Sequence, residues 1–292
     1  MKELNITKIE YNPSMEGQAA ILPDITYSSE TGKDLKLAII SPWRDKEKET
    51  EIPRYPLIVF VQGSAWTFPD IYYEIPQLSE YARRGYVVAT VTHRNCLEGN
   101  PFPAFLQDVK TAIRFLRKNA DEYGIDTERV GIWGTSSGGN TALLVGLTPD
   151  DASYITQEYM EFSDKVKCVV DCFGPSDLRI IVEDIKNFPD QGIQDIFHSL
   201  MGGNNPEEHE ELLWEISPAA RVIKGKEYPP FLILHGNNDT AVSYDQSVKM
   251  HQTLIEEGVH SEMVCVDKAP HEGSFWSRQV HEIIMNFFAK NL

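Results

Sequence analysis

Val130-Gly-Ile-Trp-Gly-Thr-Ser-Ser-Gly-Gly-Asn-Thr-Ala-Leu-Leu-Val145 changes character in its middle. Val130 to Trp133 is short, apolar and β-prone, whereas Asn140 to Val145 is built largely from good helix formers. Between them stands Gly134-Thr135-Ser136-Ser137-Gly138, a G-x-S-x-G placed where a strand turns into a helix. A nucleophile elbow needs that context, because a sharp turn strains the serine backbone and lifts its hydroxyl above the sheet edge. The small flanking residues let strand and helix backbones approach each other. The helix N-terminus behind Ser136 favours negative charge developing beside it. A flexible Gly/Ser turn would carry the same five letters, so base, acid and oxyanion donors have to come from elsewhere in the chain.

Outward from this stretch, apolar runs alternate with amphipathic ones. Upstream, Leu35 to Ile40, Pro56 to Val61 and Tyr86 to Val91 read as strands, with Asp24 to Tyr27 an edge-strand candidate. The unbroken run Pro56-Leu-Ile-Val-Phe-Val61 has the pattern of a strand buried on both faces. Pro76 to Arg84 reads as a helix, and Pro103 to Ala120 places Phe105, Val109, Ala112, Ile113 and Leu116 on one helical face. Asp108 falls early in that second helix and reads as structural. Downstream come strands at Val166 to Phe173, Phe231 to His235 and Glu262 to Asp267, with helices at Tyr244 to Glu257 and Ser277 to Lys290. Residues 176–228 break the alternation with short amphipathic pieces, Leu178 to Ile185 and Ile193 to Met201, and a helix start at Ser217-Pro-Ala-Ala220. A connection this long carries helices of its own and is often a lid. Asp45 to Arg54 reads as a solvated charged turn, and Glu207 to Glu211 is an acidic run. The pattern predicts an α/β fold in one domain, residues 1–292: a mostly parallel central sheet flanked by helices, with a helical insertion at about 176–228.

Composition narrows the function. A 292-residue chain with 41% hydrophobic and 24% charged residues has the make-up of an ordinary globular protein. Its formal charge of −17 opposes nucleic-acid phosphates and anionic membranes. The first residues show no apolar core of signal-peptide length, and no stretch is long and apolar enough to span a bilayer. The four cysteines, Cys96, Cys168, Cys172 and Cys265, lack metal-ligand spacing, and Cys168 and Cys172 sit in a strand-like run as buried free thiols. Reduced thiols and the absence of a signal predict a cytoplasmic location. No metal motif, phosphate-binding glycine loop or nucleotide fingerprint is present, so no cofactor is expected.

Acyl transfer by serine needs a base within hydrogen-bond reach and a carboxylate to orient that base. Two loops downstream of Ser136 offer them at the carboxyl ends of strands. Asp239 follows Phe231-Leu-Ile-Leu-His-Gly-Asn-Asn, and His271 sits in a Pro/Gly loop after Val264-Cys-Val-Asp. The order Ser136, Asp239, His271 is that of the α/β-hydrolases. Competing residues fit less well: His251 and His281 lie within helices, His209 in the acidic run, and His93 and His235 beside other strands. Asp245 reads as a helix cap and Asp267 as a strand end. Ser137 is a poorer elbow because Thr135 stands where glycine is needed. Gln62-Gly63-Ser64-Ala65-Trp66, at the end of a buried strand, exposes backbone N–H groups suited to an oxyanion hole.

These segments together resemble the α/β-hydrolase superfamily from about residue 35 to the end. The carriers are Val61-Gln-Gly-Ser-Ala-Trp66, Asp126-Thr-Glu-Arg-Val-Gly-Ile-Trp-Gly-Thr-Ser-Ser-Gly-Gly139, His235-Gly-Asn-Asn-Asp239 and His271-Glu-Gly273. Within the superfamily the chain resembles small carboxylesterases related to hormone-sensitive lipase, most closely the BD-FAE-like group, named for bifunctional feruloyl and acetyl-xylan esterases. The resemblance implies that Ser136 attacks an acyl carbonyl, with His271 as base and then acid and Asp239 holding its tautomer. Backbone N–H groups of Gly63 or Ser64, and of Ser137, would hold the oxyanion. Many relatives carry His-Gly-Gly at the oxyanion strand where this chain has Gln62-Gly63-Ser64, a departure that spares the backbone donors and bears on the pocket.

Trp66, Phe68, Phe102, Phe275 and Trp276 flank the site in sequence, with Trp66, Phe102 and Trp276 the foremost candidates to line a substrate pocket. The expected activity is hydrolysis of short-chain acyl, chiefly acetyl, esters, with carbohydrate esters among the candidates. An amidase or peptidase on the same fold and a non-catalytic binding module are the competing readings. The partner is a small-molecule ester, and a homodimer, common in this superfamily, is left open.

Overall fold

The computed structural model describes residues 5–44, 53–185, 190–203 and 210–292. Eight strands form one sheet: β1 (Ala19–Ser28), β2 (Leu35–Pro42), β3 (Tyr55–Val61), β4 (Val87–Val91), β5 (Ile125–Thr135), β6 (Cys168–Cys172), β7 (Phe231–Gly236) and β8 (Ser261–Val266). Their order is β1-β2-β4-β3-β5-β6-β7-β8. β1 pairs antiparallel with β2, and β2 with β4, while every pair from β4 to β8 is parallel. The expected edge strand at Asp24 to Tyr27 is the latter half of β1, which continues across a register irregularity beside Asp24, a residue in left-handed backbone at φ 58°.

The parallel strands are apolar because helices cover both faces. Beneath one face lie α2 (Ala104–Lys118), α4 (Ser137–Leu147) and α9 (Tyr244–Glu256), whose Phe105, Leu106, Val109, Leu143, Leu144, Met250 and Leu254 pack on Leu57, Val59, Val61, Ile132 and Ile233. Against the other face lie α1 (Ile75–Arg83) and α10 (Arg278–Asn291), with Leu78, Tyr81, Ile284 and Phe288 closing over Ile58, Phe60, Trp133, Val170 and Leu232. A short α3 (Ala120–Tyr123) leads into β5. Strand alternation therefore sends Ile132 to one core and Trp133 to the other.

Residues 176–228 contain the expected helices α5 (Leu178–Ile185), α6 (Gln191–Leu200) and α8 (Pro218–Arg221), and a further one, α7 (Glu210–Glu215), that begins within the acidic run. The insertion is tied to the sheet from below. Asn140 of α4 donates to the carbonyls of Pro175 and Ile216, and Gln246 of α9 receives the N–H groups of Ser176 and Asp177. The charged segment Asp45 to Arg54 lies outside the described residues as far as residue 52, and so do Glu207, Glu208 and His209 of the acidic run.

Two local assignments change. The cap of α9 is Ser243, whose hydroxyl accepts from the Asp245 N–H; Asp245 itself sits in the first turn. The apolar face read along α2 is real, but the helix also buries Lys110 and Arg114 completely. Both reach Asp164, Lys110 Nζ at 2.8 Å and Arg114 at 3.0 Å, and Lys110 further donates to the Thr148 carbonyl. This cluster clamps the 148–165 connection onto α2. Asp108 is structural as expected, receiving Arg94's guanidinium and backbone N–H. Cys96, Cys168 and Cys172 are buried free thiols and Cys265 an exposed one. Among the described residues no helix is long and apolar enough to cross a membrane.

Removing one partner of a buried ion cluster strands the other charge in a low-dielectric site. Asp164→Ala, which leaves two buried cations without their carboxylate, is expected to lower stability by about 3–5 kcal/mol in urea unfolding. A loss under about 1 kcal/mol would mean that the cluster does not hold the connection.

Candidate active site

The site is assembled at the carboxyl edge of the parallel strands. β5 ends at Thr135 and α4 begins at Ser137, so the whole reversal falls on Ser136, at φ 52° and ψ −123°. A residue other than glycine adopts such backbone only where its surroundings impose it. Here they do. A Cβ on Gly134 would lie 1.9 Å from the Gly138 carbonyl oxygen, and a Cβ on Gly138 would lie 2.0 Å from that of Val61. Both glycines of G-x-S-x-G are thus demanded by backbone contact. The Ser136 N–H donates to the Cys172 carbonyl at the end of β6, which fixes the turn from the other side.

His271 comes from the loop after β8 and Asp239 from the loop after β7. The two loops are fastened to each other: the Asn238 N–H donates to the Ala269 carbonyl, the Lys268 N–H to the Asn237 side chain, and the Asn237 amide to Asp267. His271 Nδ1 lies 2.6 Å from Asp239 Oδ2, and its Nε2 lies 3.0 Å from Ser136 Oγ. A carboxylate accepts, so Nδ1 carries the proton and Nε2 faces the serine hydroxyl as an acceptor. Phe173, itself at φ 47°, packs on the His271 ring at 4.7 Å between centroids and fixes its plane.

Asp239 is fully buried. Burial alone would raise its pKa, but hydrogen bonds from His235, His271 and the Val242 N–H outweigh that and hold the carboxyl well below the usual range. The second oxygen accepts from the N–H groups of Ala241 and Val242. It is therefore a carboxylate at any working pH, as orienting an imidazole requires.

The strand-end loop after β3 curls over Ser136 through left-handed Ala65 and Trp66, at φ 50° and 56°. Gly63 touches the elbow directly, since a Cβ there would stand 2.8 Å from Ser136 Cβ. The Gly63 N–H is committed to Thr135 Oγ1 at 2.8 Å, and the Ser64 N–H donates to Ser137 Oγ at 2.9 Å. Of the two strand-end donors named from sequence, Gly63 thus has a fixed structural partner. The Ser64 N–H likewise has a side-chain hydroxyl, that of Ser137, as its partner. Ser137 opens α4, where its N–H has no carbonyl one turn behind it.

The three pocket candidates separate. Phe102 is buried against Phe105 and Tyr154 as part of the hydrophobic core. Trp66 is also buried, between Phe105 and Phe197 of the insertion, and its indole N–H has no partner among the described residues. Trp276 is half-buried, stacks on His281 and donates its N–H to Glu272, the residue after His271. Phe275 lies buried against Phe173, and Phe68 is exposed beneath Lys33. Among the other described histidines, His235 bonds Asp239. Among the described residues, no group of His, Cys, Asp and Glu side chains is arranged to hold a metal ion.

Sequence reasoning passed over Asp171. It is fully buried in β6 opposite Gly134, and its Oδ1 accepts from the Gly174 N–H at 3.0 Å. A Cβ on Gly139 would lie 2.2 Å from that oxygen, so the first turn of α4 rests on this carboxyl. Oδ2 has no partner. Burial pushes Asp171 up to about 7. An acidic residue inside an apolar strand, Val169-Val-Asp-Cys172, was the available signal.

This geometry, a serine at a strained strand-to-helix turn with a buried aspartate and a histidine from the loops after β7 and β8, is that of the α/β-hydrolase class. The chain belongs to the BD-FAE family, whose model matches residues 45–254. Esterase LipC of Mycobacterium tuberculosis is 31% identical over 212 residues, covering 72% of this chain and 50% of LipC. Isoprenylcysteine alpha-carbonyl methylesterase ICME of Arabidopsis thaliana is 25% identical over 75% of this chain and 51% of its own length. The chain thus spans about half the length of these curated relatives. Among solved structures, a truncated carbohydrate esterase from gut microbiota superposes with a TM-score of 0.77 at 28% identity, over 96% of this chain and 99% of that one. The bifunctional GH43-CE protein of Bacteroides eggerthii gives 0.76 at 29% identity, over 97% of this chain and 39% of that one.

Asp171 sets a stability dependence whose sign is fixed. The native state keeps this proton up to about 7, whereas the unfolded chain releases it near the ordinary carboxyl value of about 4. Native stability therefore falls as pH rises between those limits. Asp171→Asn keeps an acceptor for Gly174 and removes the titration. Its stability relative to wild type is expected to be higher at pH 8 than at pH 5, by up to about 2.6 kcal/mol, read as a larger melting-temperature offset. Equal offsets at both pH values would show that Asp171 does not take up a proton on folding.

Proposed function

We propose that this protein is a serine carboxylesterase that hydrolyses short-chain acyl esters, with acetyl esters of carbohydrates as the preferred class. The observation that carries the reading is the continuous hydrogen-bonded chain from Ser136 Oγ through His271 to Asp239 Oδ2, at 3.0 Å and 2.6 Å. His271 Nε2 takes the Ser136 proton as Oγ attacks the ester carbonyl, and the imidazolium is stabilised by Asp239. The oxyanion is received by the N–H groups of Ser64 and Ser137, with Gly63 holding their loop against Thr135. His271 then returns its proton to the departing alcohol, and an acyl-enzyme remains on Ser136. Water, activated by the same imidazole, releases the acid and restores the serine. One oxyanion donor is worth about 3 kcal/mol of barrier.

The sugar-ester part of the reading is supported by the superposition on a carbohydrate esterase along nearly its whole length. The short acyl group is supported by the aromatic packing of Trp66 between Phe105 and Phe197 at the end of the loop after β3. The same proposal places 1–292 in one catalytic domain, with a small-molecule ester as its partner. The four free thiols favour a reducing, cytoplasmic setting for it.

Hydrolysis of p-nitrophenyl esters from acetyl to octanoyl, and acetate release from acetylated xylo-oligosaccharides, test the reading with wild type and Ser136→Ala side by side. Wild type is expected to prefer acetyl, and Ser136→Ala to lose at least ~1,000-fold in kcat with its melting temperature retained. A folded Ser136→Ala with wild-type rates would remove Ser136 from the chemistry. Wild type inert on every ester would remove the esterase.

A further inference from the structure

Asp239 Oδ2 has two imidazole partners. One is His271. The other is His235, fully buried at the carboxyl end of β7, whose Nε2 lies 3.0 Å from that oxygen and 3.0 Å from the Val242 carbonyl. Both partners of Nε2 are acceptors, so Nε2 must carry a hydrogen. His235 Nδ1 lies 2.7 Å from the hydroxyl of Ser247, buried on α9. In the neutral imidazole Nδ1 is then the lone-pair nitrogen and Ser247 donates to it. This serine therefore locks the Nε2–H tautomer from behind, with no extra proton required.

We infer that His235 is a positioning residue of the reaction: its Nε2–H divides Asp239 Oδ2 with His271 and sets both the direction and the strength of the carboxylate's hold on the base. This deepens the proposed function and rests on Ser136 and His271 acting as nucleophile and base. Each Asp239 oxygen has two N–H donors, with Ala241 and Val242 on Oδ1 and the two histidines on Oδ2. The backbone pair fixes one oxygen. Only His235 stands opposite His271 on the other, so without it the carboxylate can rotate, and its negative charge falls on His271 alone. The two roles have opposite effects. A freer carboxylate orients the base less well and lowers the rate. A carboxylate relieved of a competing donor binds the imidazolium more tightly, so the base keeps its proton to higher pH. The titratable groups facing His235 are Asp239, His271 beyond the shared oxygen, Tyr244 edge-on at 5.8 Å, and Cys265, its register partner on β8.

The pH dependence of kcat/KM on p-nitrophenyl acetate separates positioning from mere packing. His235→Leu is expected to lower kcat/KM about tenfold at its optimum and to move the acid limb up by about half a pH unit. His235→Gln, which keeps an N–H near Nε2, is expected to return the limb to within about 0.2 unit of wild type and recover part of the rate. Ser247→Ala, which unlocks the tautomer without touching Asp239, is expected to shift the limb in the same direction by less. It serves as the measurement if His235→Leu does not fold. An acid limb that stays in place in the folded His235→Leu and Ser247→Ala variants overturns the inference, even if the rate falls. Loss of the esterase reading itself would show differently, as a Ser136→Ala protein that keeps wild-type rates.

Discussion

The structure turns on backbone crowding around a single residue. Strand β5 can pass into helix α4 only if Ser136 takes left-handed backbone, and it does so because Gly134, Gly138 and Gly139 let four pieces of main chain come together without a Cβ between them. The Val61 carbonyl presses on Gly138 from the β3 side, and the Gly174 segment and Asp171 press on Gly139 from the β6 side. The elbow is therefore wedged between its two neighbouring strands as much as it is turned by its own residues. The strain of the positive φ, of order 1–3 kcal/mol, is borne by this surrounding sheet. The parallel order β3-β5-β6 is what brings the loop after β3, the serine and the Cys172 carbonyl to one edge.

Around that edge the electrostatics are divided by burial and by donors. Asp239 and Asp171 are both fully buried carboxyls on strand ends, yet they are pushed in opposite directions. Asp239 collects four N–H donors and is held ionised; Asp171 has a single donor and an orphan oxygen, and burial wins. The donor count decides each case.

The insertion bears on the site through contacts that are themselves core. Phe197 packs on Trp66, the last residue of the oxyanion loop, and the Phe102 N–H donates to the Leu200 carbonyl at the end of α6. Asn140 in α4 and Gln246 in α9 pin the insertion's two ends to helices that also carry the elbow and flank the Asp239 loop. In the proposed esterase, the space left for an acyl group is set jointly by the sheet's loops and by α6.

Much of this was legible in the chain. Continuous apolar runs marked the parallel strands because such strands are buried on both faces, and the residue order Ser136, Asp239, His271 followed from the rhythm of strand-end loops. Small residues in G-x-S-x-G reported a close approach before its partner was known. The sequence by itself determined which segments form strands and helices, where the chain must turn sharply, and which three side chains stand at the right ends of the right strands, since these depend on local periodicity and order. Only the tertiary structure decided that Gly63 is spent on Thr135, that Lys110 and Arg114 are buried on Asp164, that Phe102 is core, and that His235 shares Asp239 with His271. Each of these joins residues distant in the chain or turns on side-chain direction and burial, which periodicity and residue type leave open.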